Sequence, residues 1–189
     1  MPILSEFAKL PLRPRRVLVC GTSGCGKTTL AQYIGTALSL PTTELDALYH
    51  GPNWTPRPTF FADVVTILQD DSWVMEWQYD LVRSLLLDRC DLIVWLDLPH
   101  LLTAWQITVR TVSRRLRHQE LWNGNFEPPL HAIFWNHEHV IRWSWSTRHL
   151  AKELVHQALE RHPSLPIVQL HSHRSADRWI ARIVTHTKP

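Results

Sequence analysis

The sequence predicts an α/β fold, a parallel sheet with helices on both faces. Three observations carry this. Short apolar runs alternate with helix-sized stretches from residue 17 to residue 184. A glycine-rich loop, GTSGCGKT, joins the first apolar run to the first helical stretch. No linker or internal repeat interrupts the 189 residues, so residues 1–189 read as one domain around one core.

The elements follow in order. Residues 1–14 form a short arm broken by Pro11 and Pro14. VLVC (17–20) is a buried strand, and TTLAQYIGTALSL (28–40) is a helix with Ala31, Ile34, Ala37 and Leu38 on its apolar face, ended by Pro41. TTELDALY (42–49) fits a short second strand ending near Asp46. The Pro-rich GPNWTPRPT (51–59) is a loop. A helix at 60–70, a strand at 72–79, a helix at 80–90 and a strand at 91–99 complete the pattern to Pro99. A long Arg-rich helix covers 100–122, and NGNFEPP breaks it. One or two helices span 131–162, followed by a strand at 166–172 and a helix at 175–184.

The loop carries the strongest chemical signal. Gly21, Thr22, Ser23, Gly24, Cys25, Gly26, Lys27 and Thr28 match G-x-x-x-x-G-K-[ST] throughout, and Thr29 follows on the helix. Glycines let backbone N–H groups turn inward around phosphate, and the helix N-terminus adds its positive dipole. Lys27 is placed to reach the outer phosphates, and the Thr28 hydroxyl to bind Mg²⁺. The expected ligand is a nucleoside triphosphate with Mg²⁺. The motif alone separates neither ATP from GTP nor hydrolysis from transfer. No N-K-x-D guanine motif appears, which leans to ATP.

Composition narrows the classes. Net charge is +3, most of the positive charge is Arg, and no long basic run demands nucleic acid as a partner. The three cysteines (Cys20, Cys25, Cys90) show no metal spacing and read as reduced thiols. Twelve His are scattered, and His137-Glu138-His139 and His171-Ser172-His173 lack the helical zinc spacing. No apolar run reaches membrane length and no signal-peptide pattern is present, so a cytoplasmic protein is expected.

Arg110, Arg114 and Arg117 stand at i, i+4 and i+7 and are expected on one helical face, with Arg115 beside it. Few acidic residues accompany them, so the segment 110–127 reads as an Arg-rich lid over phosphate, or else as a basic surface stripe or as core-facing Arg paired with Asp46 and Glu76. Asp97 ends an apolar run, as a Walker-type metal-side aspartate does; the alternative is a structural carboxylate capping the Leu98-Pro99 turn or pairing with a lid Arg. Trp54, Trp77 and Tyr79 lie where an open α/β sheet binds ligands, and also suit a core. Trp135, Trp143 and Trp145 suit helix packing or a contact between two copies in a homodimer.

The blocks GTSGCGKTTLA, TTELDALYHGPNW, DLIVWLDLP, RTVSRRLRHQELWNGNFEP and LHSHRSADRWI together resemble the adenylate-kinase-like group of small phosphate-loop proteins. Within it they look closest to the branch named for DNA topology modulation, or as AAA-family ATPases. The resemblance implies a P-loop NTPase fold of the nucleoside/nucleotide kinase type, a parallel five-stranded sheet flanked by helices with an Arg-rich lid. It implies that Asp46 or Glu76 orders Mg²⁺ water or takes a proton from the acceptor, and that lid arginines neutralise the transferring phosphoryl group. It sets Arg174 against the base of the donor nucleotide. The Glu76-Trp77 pair departs from the branch pattern, as does Phe126, where a basic residue is usual.

The expected activity is phosphoryl transfer from ATP, with Mg²⁺, to a small acceptor. The alternatives are a nucleotide-gated binding or regulatory protein, with DNA as one candidate partner, and a slow ATPase.

Overall fold

The computed structural model describes residues 3–10, 13–129, 131 and 140–187. Five parallel strands form one sheet in the order β2-β3-β1-β4-β5. They are β1 (Arg16–Gly21), β2 (Thr42–Thr43), β3 (Trp73–Glu76), β4 (Leu92–Leu96) and β5 (Ile167–Leu170). β1 lies at the centre, with Val19 opposite Glu76 of β3 and Gly21 opposite Leu96 of β4. The loop after β1 therefore opens at the C-terminal edge of the sheet, beside the ends of both neighbours.

Period-two alternation divides the core. Leu18, Cys20, Met75, Ile93 and Trp95 point to one face. There they meet α3 (Phe60–Ile67), α4 (Asp80–Arg89) and α7 (Leu150–Arg161) through Phe60, Val64, Leu86 and Val155. Val17, Val19, Val74, Val94 and Val168 point to the other face. They meet α1 (Lys27–Leu38) and α8 (His173–Thr187) through Leu30, Ile34, Trp179 and Ile183. Both faces are covered, as an all-parallel sheet requires. The N-terminal arm guards the β5 edge: Leu4 N–H donates to Ile167 O at 2.7 Å, and Gln169 N–H donates to Leu4 O at 2.9 Å.

The structure corrects some expected boundaries. The second strand stops after Thr43, and Leu45–Tyr49 forms a one-turn helix, α2. Asp46 thus lies on a helix rather than at a strand end. Leu45 sets this break, because it turns into the core beside Phe60 and is fully buried. The Arg-rich helix α5 runs only His100–Leu116. A Schellman turn ends it: His118 has φ +47°, Gln119 N–H donates to Arg114 O, and His118 N–H donates to Arg115 O. The region after it contains α6 (Val140–Ser146) before α7. His137, His139 and Trp135 lie outside the described residues. No described helix is long and apolar enough to cross a membrane.

Candidate active site

The phosphate loop has the backbone its glycines predict. Gly24 and Gly26 have φ of +85° and +97°, a conformation that L side chains rarely adopt. Gly24 also admits a close neighbour: a Cβ there would stand 2.8 Å from Thr103 O and from Ile107 Cβ of α5. Gly26 caps α1, whose first residue is Lys27. Two other elements grip the outside of the loop. The Ser144 hydroxyl of α6 donates to Ser23 O at 3.2 Å. His173, the first residue of α8, lies 3.1 Å from Cys25 O through Nε2. A carbonyl has no proton to give, so Nε2 is the donor. Cys25 itself is fully buried, and burial pushes its thiol up, so it remains a neutral packing group.

Lys27 Nζ donates to Thr22 O at 3.2 Å. Burial works to lower the Lys27 ammonium, but the carboxyl groups of Glu76 and Asp46 help to hold it above its ordinary value. Thr28 donates its hydroxyl to Glu76 Oε1 at 2.6 Å. Glu76 is 4% exposed. Burial raises its carboxyl above the ordinary range, Lys27 pulls it down, and Asp46 raises it again.

Asp46 faces the same edge. Its Oδ1 accepts from Gln78 Nε2 at 2.9 Å and from the Tyr79 hydroxyl. Its Oδ2 has no hydrogen-bond partner among the described residues, which leaves one oxygen open. Burial and Asp46 both raise the Tyr79 hydroxyl, so it stays protonated and donates. His50 Nε2 lies 3.3 Å from that hydroxyl and supplies the N–H, since the tyrosine proton is already given to Asp46.

Of the expected arginines, Arg110 lies within electrostatic reach of this edge. Arg110 keeps an exposed side chain, yet partial desolvation and neighbouring Arg114 lower its guanidinium, while Glu127, Asp46 and Glu76 pull it back up. Arg114 Nη1 stands 3.6 Å from Glu127, and Arg115 Nη1 donates to Glu127 O at 3.1 Å. Arg117 departs from them. It falls at the C-cap of α5, exposed, beside Val109, Val112 and Leu116 on a different face. Its N–H still donates to Ser113 O at 3.0 Å, and the chain leaves the helix immediately afterwards, at His118.

Asp97 is also placed differently from its expected metal-side role. Its Oδ2 accepts from Gln169 Nε2 of β5 at 2.8 Å, with His171 Nδ1 at 3.7 Å, on the far side of β1 from Glu76. Glu76 is the carboxylate that reaches Thr28. Arg174 is exposed in the first turn of α8, and the adjacent His173 makes the loop contact. Thr29 is exposed on α1. Trp77 belongs to the core, 4% exposed, with Nε1 donating to Arg83 O at 3.1 Å. Trp143 and Trp145 are 51% and 52% exposed. No group of three or more His, Cys, Asp or Glu among the described residues is arranged to hold a metal ion by itself.

A feature the sequence did not reveal joins the lid to the Asp46 element. Residues 50–56 and 120–126 are two loops with the same backbone scheme. Each is closed by an antiparallel bridge, His50 with Pro56 and Glu120 with Phe126. Gly51 N–H donates to Thr55 O and Leu121 N–H to Asn125 O, both at 2.7 Å. Asn53 and Asn123 occupy matching left-handed positions, with φ of 56° and 57°. The loops interlock. Asn125 Nδ2 donates to Gly51 O at 2.8 Å, and its Oδ1 accepts from Trp54 N–H at 2.9 Å. Asn123 Nδ2 donates to Ala47 O and His50 O, Trp54 Nε1 to Phe126 O, and Trp122 Nε1 to Glu44. This clasp fixes the end of the Arg-bearing segment to the helix that carries Asp46.

Asn125 is 4% exposed with its amide satisfied on both sides. Asn125→Ala strands Trp54 N–H and Gly51 O, at an expected cost of about 1–3 kcal/mol. Hydrogen exchange should then quicken in 50–56 and 120–126 together; faster exchange in one loop only would show that they are not coupled.

No protein-family model matches the chain, and no curated protein does. Similar solved structures exist. A gluconokinase from Sinorhizobium meliloti is 19% identical, with 92% of this chain and 95% of that chain covered and a TM-score of 0.48. A shikimate kinase from Bacteroides thetaiotaomicron is 14% identical over 92% and 98%, TM-score 0.45. A sugar kinase from Janibacter is 18% identical over 90% and 92%, TM-score 0.45. The expected likeness to the branch named for DNA topology modulation is not found: the three structures just given are named as small-molecule kinases. The strand order with its phosphate loop after β1 is the P-loop fold of the nucleoside/nucleotide kinase type.

Proposed function

We propose that the protein is an ATP- and Mg²⁺-dependent phosphotransferase acting on a small acceptor. One observation carries this reading. Lys27, Thr28, Glu76 and Asp46 converge beneath a phosphate loop, with Arg110 close enough to feel both carboxylates. Hydrolysis alone requires no second carboxylate held with an open oxygen.

Each group has a task that its surroundings suit. Loop N–H groups and Lys27 bind the outer phosphates of ATP. The Thr28 hydroxyl and Glu76 form an all-oxygen donor set that fits Mg²⁺, directly or through its waters. The ion, when bound, neutralises phosphate charge. Arg110, with Arg114 behind it, offsets negative charge on the transferring phosphoryl group. Asp46 Oδ2 receives the acceptor proton, while Gln78 and Tyr79 hold Oδ1 and fix the carboxylate plane. The clasp sets the distance between the Arg110 side and the Asp46 side.

The test is ADP release from Mg-ATP across a panel of hydroxyl and phosphate acceptors, with Lys27→Ala as the blank. Strong stimulation by one acceptor, absent in the blank, supports the reading. A slow rate equal across the panel sinks it in favour of an ATPase. In the stimulated reaction, Asp46→Asn should lower kcat by about 10²–10⁴-fold, with the KM for ATP little changed. A matching fall in ATP affinity would instead put Asp46 on the metal side.

A further inference from the structure

The acceptor side of this site has a distinct charge. Facing it are the carboxylates of Asp46, Glu76 and half-buried Glu44, each on or beside β2, α2 or β3. Its cations are already engaged. Arg57 pairs with Asp63 at 3.3 Å and bonds to Thr59. Arg83 pairs with Asp80 and is 19% exposed. Lys27 and Arg110 belong to the phosphates of the donor in the function proposed above. Among the described residues, each guanidinium on this side is thus paired with a carboxylate or given to the donor phosphates, and Arg83 Nε, which has no partner, is buried.

The remaining surface is ring-shaped. Tyr49 stacks on Tyr79 with centroids 4.2 Å apart. His50 lies edge-on to Trp54 at 5.0 Å and parallel to Trp122 at 6.3 Å, with Trp54 and Trp122 both partly accessible. Burial lowers the His50 imidazole, so this ring too is uncharged at neutral pH. Flat apolar rings receive a nucleobase or the C–H face of a sugar, while carboxylates beside them accept hydrogen bonds from hydroxyls. With Glu76 given to the metal side, a carboxylate or phosphate on the acceptor would still meet the like charges of Asp46 and Glu44.

We propose that the acceptor is an uncharged hydroxyl compound with a flat apolar face: an unphosphorylated nucleoside or a neutral sugar, in preference to a nucleotide or a sugar acid. This rests on the phosphotransferase reading and narrows it. The acceptor enters against Trp54 and Trp122, and its hydroxyl reaches Asp46 Oδ2. The γ-phosphoryl bond to ADP breaks as the acceptor oxygen–phosphorus bond forms, and the hydroxyl proton passes to Asp46.

The experiment uses matched pairs: a nucleoside and its 5′-monophosphate, and an aldose and its aldonic acid. Each pair is compared by kcat/KM with Mg-ATP, and by quenching of tryptophan fluorescence with Mg-ADP bound. The neutral member of at least one pair should lead by roughly tenfold or more at low salt. High salt should narrow the gap, and so should Glu44→Gln, which removes one facing charge while leaving Asp46 and Glu76 in place. Which pair responds separates a base-binding site from a sugar-binding one. A lead for the anionic members overturns the proposal. So does a gap that ignores both salt and Glu44→Gln. Binding of Mg-ATP with no response to any pair also overturns it, while leaving the phosphate-loop assignment intact. Failure to bind Mg-ATP at all defeats the phosphotransferase reading itself.

Discussion

Lys27→Ala should lower ATP turnover by at least about 10²–10³-fold and leave the fold intact. The side chain makes one hydrogen bond, to Thr22 O, and contributes nothing to either face of the sheet core. Its role is electrostatic. It is the cation that Glu76 and Asp46 hold, and of the charges that lower the Glu76 carboxyl, Lys27 is the largest. Removing it therefore does two things. Phosphate loses its charged partner, and Glu76 moves further toward its protonated form. The second effect has its own readout. Residual Mg-ATP binding in Lys27→Ala should weaken more steeply than in the wild type as pH falls, because Glu76 takes up a proton earlier. Equal pH slopes would show that Lys27 and Glu76 are not coupled. Turnover close to wild type would remove the phosphate loop from the reaction altogether.

The parts of this site legible in the sequence are those set by local spacing. Gly24, Gly26, Lys27 and Thr28 are neighbours in the chain, and their chemistry follows from their order. The alternation of 17–20 and 92–96 likewise places both sheet faces, because a strand has a period of two. What was not legible depends on meetings across the chain. Asp97 and Glu76 both end apolar strands, and only the sheet order decides which lies beside Thr28: β3 and β4 flank β1 on opposite sides, and the Thr28 hydroxyl turns toward β3. Arg117 closes the helix as its C-cap, directly before His118 turns left-handed, a stop signal carried by His instead of the usual Gly. The loops at 50–56 and 120–126 share a backbone but almost no residues. Trp54 and Gly124 occupy equivalent left-handed positions, φ 58° and 78°, so no residue pattern marks the pair. Asn123 and Asn125 did signal a turn, but a turn motif says nothing about what its side chains grip.

Glu76→Gln is expected to separate catalysis from stability. Glutamine keeps the shape and can still accept the Thr28 hydroxyl, so β3 and its pairing with β1 remain in place. The lost charge is the one placed to hold Mg²⁺, and turnover should fall by about 10²–10³-fold. Stability should respond in the opposite sense over a defined pH range. The folded carboxyl titrates above its ordinary value, chiefly through burial, with Asp46 adding to the effect. Between the unfolded and folded values the native state holds more protons than the unfolded one, so wild-type stability declines as pH rises through that window. The stabilising contribution is complete below the ordinary glutamate value and gone above the raised one. Glu76→Gln has no such titration, so its denaturation free energy should be flatter across the window and compare more favourably with wild type as pH rises. Mg-ATP should reverse this for the wild type, because a bound ion favours the charged carboxylate and adds its binding free energy to the folded state. Urea denaturation at several pH values, with and without Mg-ATP, reads both effects. A wild-type curve that rises with pH through the window, or a variant that gains as much from Mg-ATP as the wild type, would place the metal-side charge on another carboxylate, with Asp46 the next to test.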